Sequence, residues 1–184
     1  DNSQYSKNTI VVFTSDHGLS VGQHGLLGKQ NQYDASVRAP FIVSGPGLPK
    51  NKVVKGMFYI HSVFPTTLDM AGITIPESVQ TPSILPLVTG EKEIMHDTVM
   101  GSYRHFQRMI QDERYKLIDY PVLKKSQFFD LETDPLEMND LINDPAQAEP
   151  VDGSNLRTSH DTARAYDNTG RNQTGPKGLI PSTG

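Results

Sequence analysis

The sequence predicts an α/β fold followed by a small antiparallel sheet. Two short segments rich in β-branched and aromatic residues, Thr9–Thr14 and Pro40–Ser44, have the composition of strands. Residues 62–71 have apolar side chains at helical spacing. From about Asp97 onward, short strand-like segments alternate with polar turns, which is typical of an antiparallel sheet.

The first half of the chain contains two predicted strands joined by a long connection. Thr9–Thr14 is apolar on both alternating faces, as are strands of parallel sheets that are covered on both sides, so it is predicted as an interior strand. Residues 17–32 are predicted as a loop interrupted by glycines. Since a connection of this length is not a tight hairpin, we expect it to carry function.

A helix is predicted after the second strand, and several strands follow it. Ser62 is the expected N-cap, Pro65 suits the first helical turn and Gly72 is the expected stop. The predicted antiparallel strands are Thr98–Tyr103, Gln107–Gln111, Tyr115–Tyr120 and Gln127–Asp130.

The remaining residues are predicted to form a turn, a short helix and a tail. The turn and the helix are expected within Leu131–Leu141. Residues 146–184 contain few large aliphatic side chains and are expected to be a loosely ordered tail. The predicted organisation is therefore an α/β part over 1–96, an antiparallel subdomain with a helix over 97–145, and a tail over 146–184.

Composition excludes several classes of function. The 184 residues carry a net charge of −4 without a basic run, which disfavours nucleic acids and anionic membranes as partners. There is no cysteine, so thiolate metal sites and cysteine nucleophiles are excluded within this sequence. No apolar stretch is long enough to span a bilayer, since that requires about 18 residues.

Asp16 and His17 follow the first predicted strand and are candidate metal ligands. A carboxylate beside an imidazole suits a divalent cation, although two ligands alone hold no metal tightly. The alternative is that Asp16 caps the following turn and His17 is a partly buried structural residue.

Four sequence blocks in fixed order give these two residues a context. The blocks are Ser15-Asp16-His17-Gly18, Gly22-Gln23-His24-Gly25, Gly28-Lys29 and Tyr33-Asp34-x-Ser36-x-Arg38-x-Pro40. In this order and spacing they resemble the sulfatase family of the alkaline phosphatase superfamily. Gln107–Tyr120 and Phe128–Leu141 are similar to the small C-terminal subdomain of the same family, so the resemblance covers about residues 8–146. It implies the end of an alkaline-phosphatase-like α/β core followed by that subdomain.

The resemblance implies specific roles for several residues. Asp16 and His17 would ligate Ca²⁺, and Lys29 would contact the sulfate group and stabilise its charge during catalysis. Three further side chains are weaker candidates for substrate binding: His24 in the glycine loop, and Arg104 and His105 before the strand at Gln107. Arg38 is expected to hold the loop through hydrogen bonds to the backbone or to Asp34 rather than to touch substrate.

The family's nucleophile is not found in this sequence. Sulfatases use a formylglycine made from a cysteine or serine in a Cys/Ser-x-Pro/Ala-x-Arg segment, and no such segment occurs here. The chain also begins without methionine or a secretion signal. We therefore expect a C-terminal fragment, a cleavage product or one chain of a split enzyme, inactive without the N-terminal half that supplies the formylglycine. By family analogy, the compartment would be periplasmic, extracellular or lysosomal.

Three functional hypotheses follow. The first is a calcium-dependent sulfatase acting on a sulfated small molecule, most simply a carbohydrate. The second is a phosphate or phosphonate monoester hydrolase of the same superfamily, because related members share the Asp-His-Gly and Gly-Lys blocks. The third is a non-catalytic scaffold or binding module.

Overall fold

A computed structural model describes residues 4–147 of the chain, and it contains the predicted mixture of short helices and antiparallel strands. In chain order, the elements of this described part are β1 (Val11–Thr14), β2 (Ser20–Val21), β3 (Leu27–Gly28), α1 (Asp34–Val37), β4 (Phe41–Ser44), α2 (Val63–Met70), α3 (Leu85–Thr89), β5 (Val99–Tyr103), β6 (Gln107–Gln111), β7 (Tyr115–Tyr120) and β8 (Lys125–Asp130). Short 3₁₀ turns occupy Gln23–Gly25, Ile60–Ser62 and Pro145–Gln147.

The strands β1 and β4 form a two-stranded antiparallel sheet, with Val12 opposite Val43 and Thr14 opposite Phe41. The prediction of an interior strand covered on both faces is therefore wrong within residues 4–147. The connection, which contains β2, β3 and α1, returns the chain beside β1 in the opposite direction, so no crossover to parallel pairing is made. One face of the sheet exposes Val11, Phe13 and Ile42, each at 61%.

The predicted loop over 17–32 contains a small hairpin. β2 pairs antiparallel with β3, and the 3₁₀ turn Gln23–Gly25 lies at the tip. Gly22 and Gly25 have φ angles of 122° and 71°, which glycine adopts at little cost. His24 between them also has a positive φ, of 54°, which is uncommon for a residue with a Cβ.

The helix α2 lies where the sequence predicts it, but its start differs from the prediction. Ser62 has helical dihedral angles because the 3₁₀ turn Ile60–Ser62 runs directly into α2, so its side chain does not cap the helix. Its hydroxyl instead lies 3.1 Å from that of Thr81, within hydrogen-bonding distance. Gly72, with a φ of 68°, follows the end of the helix as expected.

The C-terminal strands form a four-stranded meander in the order β5-β6-β7-β8. This confirms the four predicted strands, and β6 and β7 have the predicted bounds. Apolar side chains pack on both faces of the sheet. One face carries Ile110, Leu117 and Phe128, and the other carries Met109, Ile118 and Phe129 together with Tyr33 from the first half of the chain.

The short helix predicted within Leu131–Leu141 does not form. Glu137 has a φ of 57°, which is incompatible with a right-handed helix. Side chains also compete for the backbone: Asp134 Oδ2 accepts the N–H of Asn139 at 2.7 Å, and Asp140 Oδ1 accepts that of Ile142 at 3.1 Å. The segment is therefore a series of turns.

Two sequence predictions are not tested by these elements. The domain boundaries at residues 96 and 145 stay predictions, and all but the first two residues of the predicted tail at 146–184 lie outside the described residues. Within residues 4–147, none of the helices combines the length and the apolar character that crossing a bilayer requires.

Candidate active site

The turn that follows β1 fixes the backbone of the Asp16–His17 pair. The Ser15 hydroxyl donates to the carbonyl of His17 at 2.6 Å. The N–H of Gly18 donates to the carbonyl of Ser36 in α1 at 2.8 Å. A Cβ at position 18 would overlap the carbonyl oxygen of Ala35, so only glycine allows α1 to lie this close to the turn.

Asp16, His17 and Lys29 lie together at this turn. Lys29 Nζ is 2.6 Å from His17 Nε2, and His17 Nε2 is 3.4 Å from Asp16 Oδ2. His17 Nδ1 lies 2.7 Å from the carbonyl oxygen of Gly18, which can only accept, so Nδ1 carries the proton. Nε2 therefore presents a lone pair to the Lys29 ammonium, and the site is open to solvent on the side of Asp16, whose side chain is 82% exposed.

The donor atoms of Asp16 and His17 fit part of a metal site. Their separation of 3.4 Å allows both to reach one cation at the usual ligand distances of about 2.0–2.6 Å. A histidine ligand commonly donates its other ring N–H to a backbone carbonyl, as His17 does to Gly18. Among residues 4–147, no cluster of three or more His, Cys, Asp or Glu side chains could complete the coordination.

Polar side chains brace the hairpin that leads to Lys29. The buried hydroxyls of Ser20 and Ser36 are 3.0 Å apart, and Asn31 Nδ2 donates to Ser20 Oγ at 3.0 Å. These contacts join β2, α1 and the segment after β3. They hold the chain on both sides of Lys29 against the Asp16–His17 turn.

The weaker candidate His24 contacts an aromatic side chain. Its ring stacks on Tyr33 with centroids 3.8 Å apart and planes within 7°. Tyr33 in turn donates its hydroxyl hydrogen to Gln127 Oε1 in β8 at 2.8 Å. This geometry gives His24 a packing role at the hairpin tip, and its role in substrate binding stays a prediction.

Arg104 and His105 occupy the exposed turn between β5 and β6. Arg104 has a φ of 49°, and the His105 ring packs against Phe106 with centroids 4.1 Å apart. Gln107, at the start of β6, donates from Nε2 to the carbonyl of Gln30 at 3.4 Å. Because Gln30 directly follows Lys29, this contact brings the β5–β6 hairpin to the candidate site, while the contact of Arg104 or His105 with substrate stays a prediction.

A buried ionic cluster next to the site was missed by the sequence analysis. Lys116 Nζ, fully buried, contacts Asp34 Oδ1 and lies 2.6 Å from Glu137 Oε1. Arg38 Nη1 lies 3.4 Å from Asp34 Oδ2, as the sequence predicts. The missed signal is the alternation in β7, which puts Lys116 on the same face as the core residue Ile118, where a charge requires a buried partner.

Comparison with known proteins adds to this geometry. A family profile described as "N-sulphoglucosamine sulphohydrolase, C-terminal" matches residues 22–159. The arylsulfatase of Clostridium perfringens is 33% identical over 159 residues, which cover 82% of this chain and 33% of that protein. The chain spans about a third of the length of that protein and of the choline-sulfatase of Rhizobium meliloti, to which it is 32% identical over 166 residues.

Solved structures have the same fold. One, in complex with its substrate D-glucosamine-2-N,6-O-disulfate, superposes with a TM-score of 0.74 at 23% identity, over 93% of this chain and 36% of that chain. The phosphonate monoester hydrolase of Silicibacter pomeroyi superposes with a TM-score of 0.66 at 25% identity, over 96% of this chain and 38% of that one. These similarities confirm the predicted α/β fold class.

Proposed function

The chain belongs to the sulfatase family, and from this membership we propose that it supplies the C-terminal part of an enzyme that hydrolyses sulfate esters. The observation that carries the proposal is the convergence of Lys29, His17 and Asp16, within 2.6 and 3.4 Å of one another, at an open turn. A sulfate ester carries negative charge on its non-bridging oxygens. A cationic group beside a pair of metal ligands is suited to bind and stabilise that charge.

Asp16 and His17 are the proposed ligands of a Ca²⁺ ion. When bound, the ion would supply positive charge that polarises the sulfate oxygens. The His17 Nδ1–H···O=C bond to Gly18 keeps the lone pair on Nε2, where it can ligate. Since Nε2 has a single lone pair, Lys29 and a cation compete for it, which leaves the Lys29 ammonium free to donate to a sulfate oxygen.

The proposed substrate is a sulfated carbohydrate. The solved neighbour bound to a disulfated glucosamine supports this class of ligand, and the exposed polar side chains around the site suit a sugar. Arg104 and His105 on the β5–β6 turn are the proposed outer contacts, because Gln107 ties this hairpin to the residue after Lys29. His24 is a further candidate at the tip of the β2–β3 hairpin.

The proposed partner of this chain is the N-terminal half of a sulfatase, which would contribute the formylglycine nucleophile and the other metal ligands. Two observations support it: no third metal ligand joins Asp16 and His17 within residues 4–147, and the β1–β4 sheet exposes the apolar side chains of Val11, Phe13 and Ile42. An apolar sheet face is normally covered by another layer of structure.

The proposal is tested by replacing Lys29 in the full-length protein. We expect Lys29→Ala to lower kcat/KM for an aryl sulfate by about a hundredfold to a thousandfold, as removal of one preorganised donor to a developing anion typically does. Bound calcium, measured by elemental analysis after dialysis, should not decrease, because Lys29 is not a ligand and only competes with the cation for the His17 Nε2 lone pair. Asp16→Asn and His17→Ala should instead lower both activity and calcium content.

A matched control separates this effect from a general loss of positive charge. Lys50 is exposed in the turn after β4, and Lys50→Ala should leave kcat/KM and calcium content at the wild-type values. Equal activity of Lys29→Ala and wild type would exclude the proposed role of Lys29. A wild-type protein that binds sulfated sugars without hydrolysing them would instead support a binding module.

A phosphonate or phosphate monoester hydrolase is the second candidate, favoured by the fold similarity to the Silicibacter pomeroyi enzyme. Both ester classes present tetrahedral oxyanions that Lys29 and a metal ion could bind. The ratio of kcat/KM for matched aryl sulfate and aryl phosphonate esters decides between them. A ratio in favour of the phosphonate would replace the sulfatase proposal.

A further inference from the structure

A group of three charged side chains, the buried Lys116 and Glu137 and the partly buried Asp34, joins the two halves of the described chain. The Lys116 side chain is 0% exposed and that of Glu137 is 2% exposed. The Lys116 ammonium contacts Asp34 Oδ1 and Glu137 Oε1, so one cation lies between two carboxylates. Transferring a charged side chain from water to the protein interior costs several kcal/mol. Buried ion pairs therefore contribute little to the net stability of a fold. Their position therefore calls for an explanation beyond stability.

Glu137 contacts the backbone of α1 as well as Lys116. Its Oε2 accepts the N–H of Asp34, the first residue of α1, at 2.7 Å. This contact satisfies one of the N–H groups that a helix start leaves without an internal partner. Glu137 does so from a left-handed backbone with a φ of 57°, a conformation that persists only where the surroundings enforce it.

Backbone carbonyl groups of α1 contact the candidate active-site turn. The carbonyl of Ser36 accepts the N–H of Gly18 at 2.8 Å, and the carbonyl of Ala35 packs directly on Gly18. The carbonyl of Gly18 in turn accepts the Nδ1–H of His17 at 2.7 Å. An unbroken series of short contacts thus leads from Lys116 and Glu137, through α1, to the ring of His17.

We infer that Lys116 and Glu137 are positioning residues that act through α1 to set the orientation of His17 toward Lys29 and Asp16. The inference deepens the proposed function and rests on it for its catalytic consequence. Neither residue contacts the substrate. Both hold α1 in position, and α1 in turn holds the backbone of Gly18. A shift of the His17 ring by about 1 Å would separate Nε2 from its partners, and misplacements of that size can cost about a hundredfold in rate.

The test compares Glu137→Gln and Lys116→Met with a matched control in the same sheet. Arg114→Met is the control, because it also removes a cation from an ion pair, and within residues 4–147 the ion pairs of Arg114 are with Asp130 and Glu132 rather than with α1. Glu137→Gln keeps the side-chain shape and is the milder variant if Lys116→Met fails to fold. Thermal unfolding of each full-length variant sets the temperature at which all are folded.

Two measurements are made on the folded variants. The first is hydrogen exchange at the Gly18 amide, whose bond to Ser36 reports the contact between α1 and the turn. We expect both positioning variants to exchange at least about tenfold faster than wild type, because local opening determines exchange. The second is steady-state hydrolysis, where we expect kcat to fall about tenfold with KM changed by less than about twofold. Arg114→Met should match wild type in both.

The inference is overturned if Gly18 exchange in folded Glu137→Gln equals that of wild type, or if faster exchange leaves kcat of an active enzyme unchanged. It is also overturned if Arg114→Met changes both readouts as much, since the effect would then be general destabilisation. If wild type hydrolyses no sulfate ester, the proposed function fails, and Gly18 exchange alone still decides whether Lys116 and Glu137 hold the turn.

Discussion

At the scale of single residues, the pKa of Asp130, at the end of β8, differs between the folded and the unfolded protein. Arg114 Nη2 donates to Asp130 Oδ2 at 2.7 Å, and Arg114 Nε lies 3.2 Å from both carboxylate oxygens. This hydrogen bonding lowers the pKa of Asp130 below its usual value, and the backbone N–H of Glu132 contributes in the same direction. Because the native pKa is depressed, folding favours the ionised form.

The sign of the pH dependence follows from this depressed pKa. The stabilisation by Asp130 is present above the unfolded-state pKa of about 4 and is lost as pH falls through the native pKa. We expect Asp130→Asn to reduce the free energy of unfolding at pH 7 and the gap to wild type to narrow below pH ~4. Urea unfolding at several pH values measures the gap. A gap that stays constant down to pH ~2 would contradict the assignment.

The residues of the candidate site differ in how far the sequence could predict them. The blocks around Asp16 and Lys29 predict that these two side chains serve one site, and they lie at one turn. The same pattern could not predict Glu137, since its partner Asp34 lies 103 positions earlier in the chain. Its left-handed backbone also has no local signal, because glutamate is not a residue type that favours positive φ.

At the scale of elements, the β2–β3 hairpin is attached to the C-terminal sheet by a stack and a hydrogen bond. His24 at its tip stacks on Tyr33, and Tyr33 donates to Gln127. Gln127 Oε1 also accepts the hydroxyl hydrogen of Tyr120 from the neighbouring strand, at 2.9 Å. Burial, together with the neighbouring hydroxyl of Tyr33, raises the pKa of Tyr120 above its usual value, so Tyr120 stays a protonated donor at neutral pH.

Substituting Tyr33 and Tyr120 one at a time distinguishes the hydrogen bond that anchors the hairpin from the hydrogen bond within the sheet. We expect Tyr33→Phe to destabilise the protein by about 1 kcal/mol and to increase proteolysis in the 20–28 hairpin. Tyr120→Phe removes a similar bond to the same acceptor but within the sheet, so the hairpin should stay as protected as in wild type. Equal cleavage of the hairpin in both variants would show that the Tyr33 hydroxyl does not anchor it.

The elements that sequence reasoning found are those with a local cause. β6 and β7 follow from alternating composition and the polar turn at 112–114, and their bounds agree with the prediction. The prediction of a helix within 131–141 was wrong because the carboxylates of Asp134 and Asp140 accept backbone N–H groups and so stabilise turns. Apolar spacing alone does not distinguish a helix from turns whose backbone is bound by side chains.

At the scale of the whole molecule, the β1–β4 sheet leaves one apolar face in solvent. Val11, Phe13 and Ile42 each expose 61% of their surface on that face. Both strands are short, and within residues 4–147 each pairs only with the other, so their outer edges also offer unpaired backbone groups. An apolar face with open edges is typical of a surface that associates with other chains.

We expect the 184-residue chain, produced alone, to self-associate through this face. Replacing Val11, Phe13 and Ile42 together by threonine should shift it toward monomer, as measured by sedimentation velocity across a concentration series. The control is Leu123→Thr, since Leu123 is 72% exposed in the turn after β7 and lies outside the sheet. Monomeric wild type at every concentration would refute the expectation.

The sequence identifies both strands and indicates that Thr9–Thr14 is prone to aggregate when it is left uncovered, but it could not have predicted the pairing with β4 or which face is exposed. Apolar side chains on both faces of Thr9–Thr14 indicate a strand that is suited to a buried position. They do not show which residues cover the strand. The pairing partner and the covering layer are tertiary properties. Only β4 is supplied as a partner within residues 4–147.

The long sequence separation of the Lys116 cluster has a consequence for biosynthesis. Asp34 is 82 positions from Lys116 and 103 positions from Glu137. The whole C-terminal meander must therefore be synthesised before both residues can contact α1. Until then α1, which contacts the Asp16–Lys29 region, lacks the contacts that Lys116 and Glu137 make to it. Premature termination anywhere before Glu137 would therefore yield a product that lacks the Glu137 contacts to Lys116 and to the first residue of α1.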